Sequence, residues 1–442
     1  MKSPQHLGRR AFLQAVAAGL GPAKADSRGD ARRLVVMTGY PQEVISRYVD
    51  AFARARPGAR VDILWHSGDD ARDLLLGPGK GQIDVYWSPS VRTFHELAAQ
   101  GAFAVLNIDR SGLPGRIGKQ VISDPDGRFE ATEIAGYGMV INPDYLRRTG
   151  LPEPRQWADL ADPAFAGHVT MPVPGRIGFA PTITEIILQA EGWRAGWALL
   201  SRIAANAVLR AARGDEAMGM VARGEKGVGL TIDFFAAQAI ARGAPLRFVY
   251  PKANAFEPAH IAVPAQAPNA ADALAYVTFV LSPEGQRLLV DPDLRRLAVR
   301  PSVYADAPAD YFNPWSSAFA AELSFDDGLF VRRRDLDNAL FDCMIFEPRD
   351  RLAALWARKR TLEGKAGLPA TAKTLLAEAE TRMTAVVIEE PDADHLAAAF
   401  AGRRRDGGEM APPAAAALQA WAAAVAANLD AADMALRQLE AL

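Results

Sequence analysis

The chain has 442 residues, half of them hydrophobic and 23% charged, enough apolar material for two or three packed cores. Its 50 Lys and Arg stand against 52 Asp and Glu, a formal charge of −2, which excludes an electrostatic nucleic-acid binder and a polybasic membrane-surface protein. The lone Cys343 excludes an internal disulfide and any multi-cysteine metal site, and no apolar run reaches the roughly 18 residues of a membrane span.

Residues 1–25 read as an export signal. Lys2, Arg9 and Arg10 supply positive charge, Ala11 to Leu20 a short apolar stretch, and Ala23-Lys24-Ala25 a small-residue cleavage site, so that the mature chain starts at Asp26. The run Gly8-Arg9-Arg10-Ala11-Phe12-Leu13 resembles a twin-arginine signal, and no cysteine near the cleavage site offers a lipid anchor. The expected location is the periplasm.

Leu34 to Met37 predicts a strand ending at Thr38-Gly39-Tyr40, and a helix opens at Pro41 with Val44, Ile45, Tyr48, Val49 and Phe52 as its apolar stripe. Pro57-Gly58 stops it. Val61, Ile63 and Trp65 alternate along a second strand that ends at His66-Ser67-Gly68, and Val85-Tyr86-Trp87 forms a third, running into Ser88-Pro89-Ser90 and then a helix bearing Phe94, Leu97 and Ala98. The same grammar returns at the strand Val228 to Ile232, the helix Phe234 to Arg242 and the strand Leu246 to Tyr250, which implies a second α/β lobe. Gly136-Tyr137-Gly138-Met139-Val140-Ile141-Asn142 and Ala259 to Val263 are extended candidates for the crossings between lobes. From about Asp335 onward the chain is Ala-rich and helical, broken at Gly364 to Pro369, at Glu390-Pro391 and at the polar tract Gly402 to Pro413. The stripe Leu418, Trp421, Val425, Leu429, Met434 and Leu439 is expected to be buried. Cys343 reads as a small core residue, and Arg332 to Arg334 and Arg403 to Arg405 as solvated turns.

Ligands of open parallel sheets bind beyond the carboxyl ends of the strands, where helix N-termini present unpaired N–H groups. Thr38, Ser67 and Ser88 fall at such ends and suit a small oxygen-rich ligand; helix capping accounts for each of them equally well. Arg176, in the turn Pro174-Gly175-Arg176-Ile177-Gly178, is the expected anion clamp. The following Thr182-x-x-Glu185 reads as a capping box opening a helix near Thr182. Asp233, at a strand end beside Phe234-Phe235, either faces the ligand or Arg176, or caps a helix. Tyr137 reaches the cleft from the crossing or sits in the core. Enzyme signatures are poor: there is no G-x-S-x-G, H-E-x-x-H, phosphate loop or dinucleotide fingerprint, and the scattered histidines support neither a catalytic nor a metal cluster.

These residues together resemble a known family. Thr38-Gly39-Tyr40, Asp84-Val85-Tyr86-Trp87-Ser88, Gly136-Tyr137-Gly138, Leu188-Gln189-Ala190-Glu191-Gly192-Trp193, Ile232-Asp233-Phe234-Phe235 and Ser282-Pro283-Glu284-Gly285-Gln286 are similar to extracellular solute-binding proteins of ABC transporters. The branch is the iron(III)-like one that also holds binders of phosphonates, hexose phosphates and phosphoglycerate. The resemblance implies a two-lobe periplasmic binding protein of type II, α/β, with an interlobe cleft and a helical C-terminal extension. Lobe 1 is then 33–138 with 264–330, lobe 2 is 139–263, and the extension is 335–442. It implies capture of a small anionic solute, with Thr38, Gly39, Tyr40, Ser67, Ser88, Tyr137, Arg176 and Asp233 in the cleft, delivery to a membrane permease, no cofactor and no nucleic-acid partner. Ferric-ion members carry a tyrosine pair where this chain has Phe234-Phe235, which have no ligand atom. The long tail resembles phosphoglycerate-transport regulatory proteins, so a sensor that reports ligand to a membrane receptor is the alternative. A ferric-ion binder and a periplasmic hydrolase follow behind, the hydrolase last because no nucleophile–base pair can be named.

Overall fold

The computed structural model describes residues 33–66, 68–77, 79–89, 91–308, 311–316, 323–401 and 410–442. The expected export signal, Ser67 and Arg403 to Arg405 lie outside the described residues.

The first domain begins as the sequence pattern predicts, with β1 (Arg33–Thr38), α1 (Gln42–Ala55), β2 (Arg60–Trp65), α2 (Gly68–Leu76), β3 (Val85–Ser88) and α3 (Val91–Ala99). Strands β2 and β3 flank β1, and both run parallel to it. A short hairpin follows, β4 (Arg116–Ile117) with β5 (Gln120–Val121). Then comes β6 (Phe129–Ile141), buried along its whole length.

The second domain contains α4 (Pro143–Thr149), β7 (Val169–Pro172), α5 (Ala180–Glu191), α6 (Trp193–Asn206), β8 (Ala207–Arg210), α7 (Glu216–Ala222), β9 (Val228–Ile232), α8 (Asp233–Ala241) and β10 (Arg247–Val249). The chain returns to the first domain through β11 (Phe256–Ala262), α9 (Ala270–Leu281), α10 (Pro283–Arg287) and β12 (Leu297–Ala298). Helices α11 (Asp327–Phe341), α12 (Arg349–Glu363), α13 (Ala370–Met383), α14 (Glu390–Phe400) and α15 (Pro412–Glu440) complete it.

Strand β6 belongs to both sheets. Its residues Phe129 to Gly136 pair antiparallel with β11, which in turn pairs with β3. Beyond Gly136, Tyr137 to Ile141 pair with β9, and β10 closes on Met139 to Ile141. The crossing expected at Gly136-Tyr137-Gly138 is therefore a single strand that changes sheets there. The two glycines have a packing reason. A Cβ on Gly136 would stand 2.8 Å from ring atoms of Tyr250 and Phe256, and one on Gly138 would stand 2.2 Å from the Val249 carbonyl oxygen. The return boundary differs from expectation: β11 is paired inside the first sheet, so the chain crosses back before Phe256 rather than after Val263.

The helical extension starts at Asp327, eight residues before the expected position. Its apolar residues, among them Leu336, Leu340, Trp356, Leu376, Trp421 and Leu436, join those of α5, α6, β7 and β9 in one cluster. The extension is thus built into the core of the second domain. Polar contacts tie the seam: the Trp193 indole donates to the Ile388 carbonyl at 2.9 Å, and Ser201 donates to the Met383 carbonyl at 3.1 Å. Cys343 is buried, as expected. Two expectations about this region are corrected. Met434 is 58% exposed, because it falls on the outer face of α15. Arg333 is no solvated turn: it is buried in α11, forked onto Asp394 at 2.5 Å and bonded to Glu390 at 2.8 Å, with the Trp193 ring 5.1 Å away.

The link to the extension is a further pass between domains. Leu323 packs in the first domain with Ile122 and Phe256, whereas Phe325 lies in the second domain's cluster. Gln120 of the first domain donates to Asp327 at 2.9 Å, and Gln189 of α5 bonds both backbone groups of Asp326, at 2.7 and 3.0 Å.

Gly138→Ala should lower the unfolding free energy by roughly 1–3 kcal/mol, the usual cost of overpacking. A thermal melt that matches the parent's would show that the strand junction tolerates a methyl group.

Candidate functional site

Residues of both domains meet where β1 ends and α8 begins. Thr38 closes β1 in full burial, and its hydroxyl accepts the Tyr40 amide at 3.1 Å. This turn exposes Gly39 and folds the Tyr40 ring inward against Trp87, with ring centroids 4.9 Å apart. From the second domain, Asp233 is the first residue of α8. It is not the N-cap. Its carboxylate instead accepts the Gly136 amide at 2.7 Å and the Tyr250 hydroxyl at 3.0 Å, fixing the start of α8 to the strand junction.

Between them lies a group that sequence reasoning missed. Arg296, next to β12, is 6% exposed, and its Nη1 donates to Glu133 of β6 at 2.5 Å. Its guanidinium carbon lies 5.4 Å from the Tyr40 ring centroid and 5.1 Å from that of Phe234, so the same cation touches a ring from each domain. Burial pushes the Glu133 carboxyl up against the pull of Arg296. Burial, with Glu133 adding to it, also raises the Tyr40 phenol well above its ordinary value. A sequence signal existed: Glu133 is a carboxylate at the head of the apolar run Ile134 to Ile141. Its partner stands 163 residues away.

The other expected site residues are distributed as follows. Tyr137 lies on the junction; its hydroxyl donates to Glu257, and its backbone is bonded on both sides by the Asn254 side chain, at 3.1 and 2.7 Å. Ser88 is buried and turned toward Tyr86, on the sheet face opposite Thr38. Arg176 does not reach the Tyr40–Arg296 cluster. It is half-exposed, 3.6 Å from Asp342, with the Phe346 ring 5.8 Å away. A π-helical turn at Asp342–Phe346 brings that carboxylate over the Gly175 backbone, so the expected anion clamp faces the helical extension.

The capping-box reading is also corrected. Helix α5 starts at Ala180, two residues before Thr182, so Thr182 and Glu185 are interior residues, both buried. Glu185 accepts from Gln189 at 2.8 Å and faces Asp337 of α11. Burial raises both carboxyls; Glu185 pushes Asp337 up further, whereas the hydrogen bonds from Gln189 and Asp337 pull Glu185 back down.

Burial pushes the Asp233 carboxyl up to about 7, opposed by the Gly136 amide, the Tyr250 hydroxyl and Arg296 and reinforced by Glu133. A carboxyl that holds its proton more tightly when folded contributes stability that is full at low pH and is lost as pH rises to its folded pKa. Unfolding free energy should therefore fall from about pH 4 to about pH 7, by at most roughly 1.4 kcal/mol per pH unit from this group. In Asp233→Asn that fall should shrink. Denaturant titrations giving parallel pH curves for parent and variant would remove Asp233 as its source.

Comparison with known proteins agrees with this architecture. The family described as bacterial extracellular solute-binding protein matches residues 83–319. The phosphoglycerate transport regulatory protein PgtC of Salmonella typhimurium is 25% identical over 338 residues, which span 76% of this chain and 83% of that protein. Among solved structures, the periplasmic binding protein AfuA of Actinobacillus pleuropneumoniae with fructose-6-phosphate bound superposes with a TM-score of 0.54 at 19% identity, over 74% of this chain and 97% of the other. A putative extracellular solute-binding protein from Bordetella parapertussis gives 0.57 at 15% identity, over 70% and 98%. The Bordetella ferric binding protein gives 0.51 at 20% identity, over 66% and 95%. These likenesses carry the two-domain fold. The family match spans more than half of the molecule, and the chain belongs to the bacterial extracellular solute-binding proteins.

Proposed function

We propose that this chain, exported to the periplasm by a twin-arginine signal, captures a small anionic solute between its two domains and hands it unaltered to the permease of an ABC importer. The observation that carries the reading is the meeting of Tyr40 from one domain and Phe234 from the other on a single buried guanidinium. A group contacted from both sides only when the domains are together is what lets a ligand shift the closure equilibrium, by its differential affinity for the closed form. Thr38, Gly39, Tyr40 and Asp233 surround that point in this reading, and Tyr137 braces the strand beside it. The anion-clamping role expected of Arg176 passes to Arg296.

The solute class follows from chemistry and kinship. Phe234 and Phe235 bring no donor atom for a metal ion, whereas a cation at the domain junction suits a carboxylate or a phosphate ester. The similarity to a phosphoglycerate transport regulatory protein points the same way. A thermal-shift screen of phosphorylated acids, sugar phosphates, phosphonates, carboxylates and ferric salts tests it. A ligand at a hundredfold over its dissociation constant adds about 2.7 kcal/mol, so at least one organic anion should raise the melting temperature clearly. A shift with ferric salts alone would overturn the anion reading.

The second reading, a sensor that presents its helical extension to a membrane receptor, draws on the word regulatory in that relative's name and on the extension's length. Substitutions of exposed residues on α15, such as Met434→Glu, separate the two. Uptake should be unaffected in the transport reading; loss of ligand-dependent induction with normal uptake would establish the sensor.

A further inference from the structure

The Glu133–Arg296 pair is an expensive way to fill space. Both groups lie in near-complete burial, and such pairs generally add less stability than apolar residues of the same volume. The pair is also incompletely satisfied. Arg296 uses Nη1 on Glu133, while its Nε is buried without a hydrogen-bond partner, and the Tyr40 hydroxyl lies against Glu133 and Thr132. A guanidinium N–H left over in such burial is unusual, since buried polar groups are nearly always paired.

Accepting the solute-capture reading on which this rests, we propose that Arg296 is the anion-recognising residue and that Glu133 is a built-in competitor holding it in place until the solute arrives. The rings of Tyr40 and Phe234 lie against the guanidinium, which leaves its N–H edges to an acceptor. An oxyanion with two adjacent oxygens, a carboxylate or a phosphate ester, satisfies Nε together with the neighbouring Nη, and one of its oxygens can accept from the Tyr40 hydroxyl. Glu133 yields its single bond in exchange. Arginine rather than lysine is required, because only the fork presents two donors in one plane.

The site therefore selects for a forked oxyanion end group, and it discriminates against cations through the guanidinium and against neutral sugars through the unpaired donors they leave. Asp233 sets the depth of the site by tying the start of α8 to the Gly136 amide. The pair is a device for keeping a buried arginine from collapsing onto an apolar neighbour before the solute enters.

Calorimetry on the full chain with 3-phosphoglycerate, fructose 6-phosphate, glycerate and inorganic phosphate tests the assignment. The parent should bind at least one of these, and Arg296→Lys should weaken that binding by roughly tenfold or more through loss of the fork. Glu133→Gln should lower the melting temperature yet tighten the same ligand severalfold, a combination that a purely structural pair does not produce. The double variant Glu133→Gln with Arg296→Gln removes both charges together, so it should fold by circular dichroism while failing to bind. Equal affinity of the parent and either Arg296 variant would overturn the role of Arg296 and leave solute capture standing. Weaker binding in Glu133→Gln would overturn the competitor role. A parent that binds none of the four probes would overturn the anion reading itself, and this inference with it.

Discussion

The arrangement rests on a hydrogen-bonding constraint at β6. A strand buried along thirteen residues must have its backbone groups paired throughout, because an orphaned amide or carbonyl in the interior costs more than a hydrogen bond returns. Strand β6 meets this by pairing with β11 and β12 on its first half and with β9 and β10 on its second. The two sheets are therefore joined through one shared ladder. Close approach at the change of partner leaves no space for side chains at Gly136 and Gly138. The Asp233 carboxylate accepts the Gly136 amide at that point, and so the second domain's helix begins where the first domain's strands end.

Local patterning made much of this legible. The alternation of Val61, Ile63 and Trp65, the apolar stripe of α1 and the Pro57-Gly58 stop are short-range signals, each decided within a few residues of chain. The bracketing glycines marked the junction, and the Asp-Phe-Phe step marked the start of α8. What lay beyond reach were pairs set by tertiary geometry. A glutamate in a largely apolar, buried strand signals that a partner exists without saying where, and Arg296 sits beside Arg295 in a polar stretch of sequence. Arg176 shows the converse. Its glycine-rich turn looked like a ligand loop, but the identity of its neighbour depended on a helical turn far along the chain, at Asp342.

The helical extension illustrates how composition understates tertiary role. Its Ala-rich helices are weakly amphipathic in sequence, and their charged residues read as solvated. Packed against α5 and α6, they bury Arg333 between two acids and an indole, and they set Asp337 opposite Glu185. Two carboxyls facing each other in burial cannot both ionise without mutual repulsion. At the seam between the extension and the second domain, burial and the facing Glu185 hold the Asp337 carboxyl well above the usual carboxylate range, and the two units share one apolar cluster.

The pass at Leu323 to Asp327 bears on how the domains move. Two connections between rigid bodies define an axis and leave rotation about it soft; a third works as a tether whose length caps the swing. Here the tether ends are pinned, by Gln120 on one side and Gln189 on the other. A swing of one domain away from the other must stretch or release the Gln120–Asp327 contact, which spans them, while the Gln189 amide keeps the far end of the tether on the second domain.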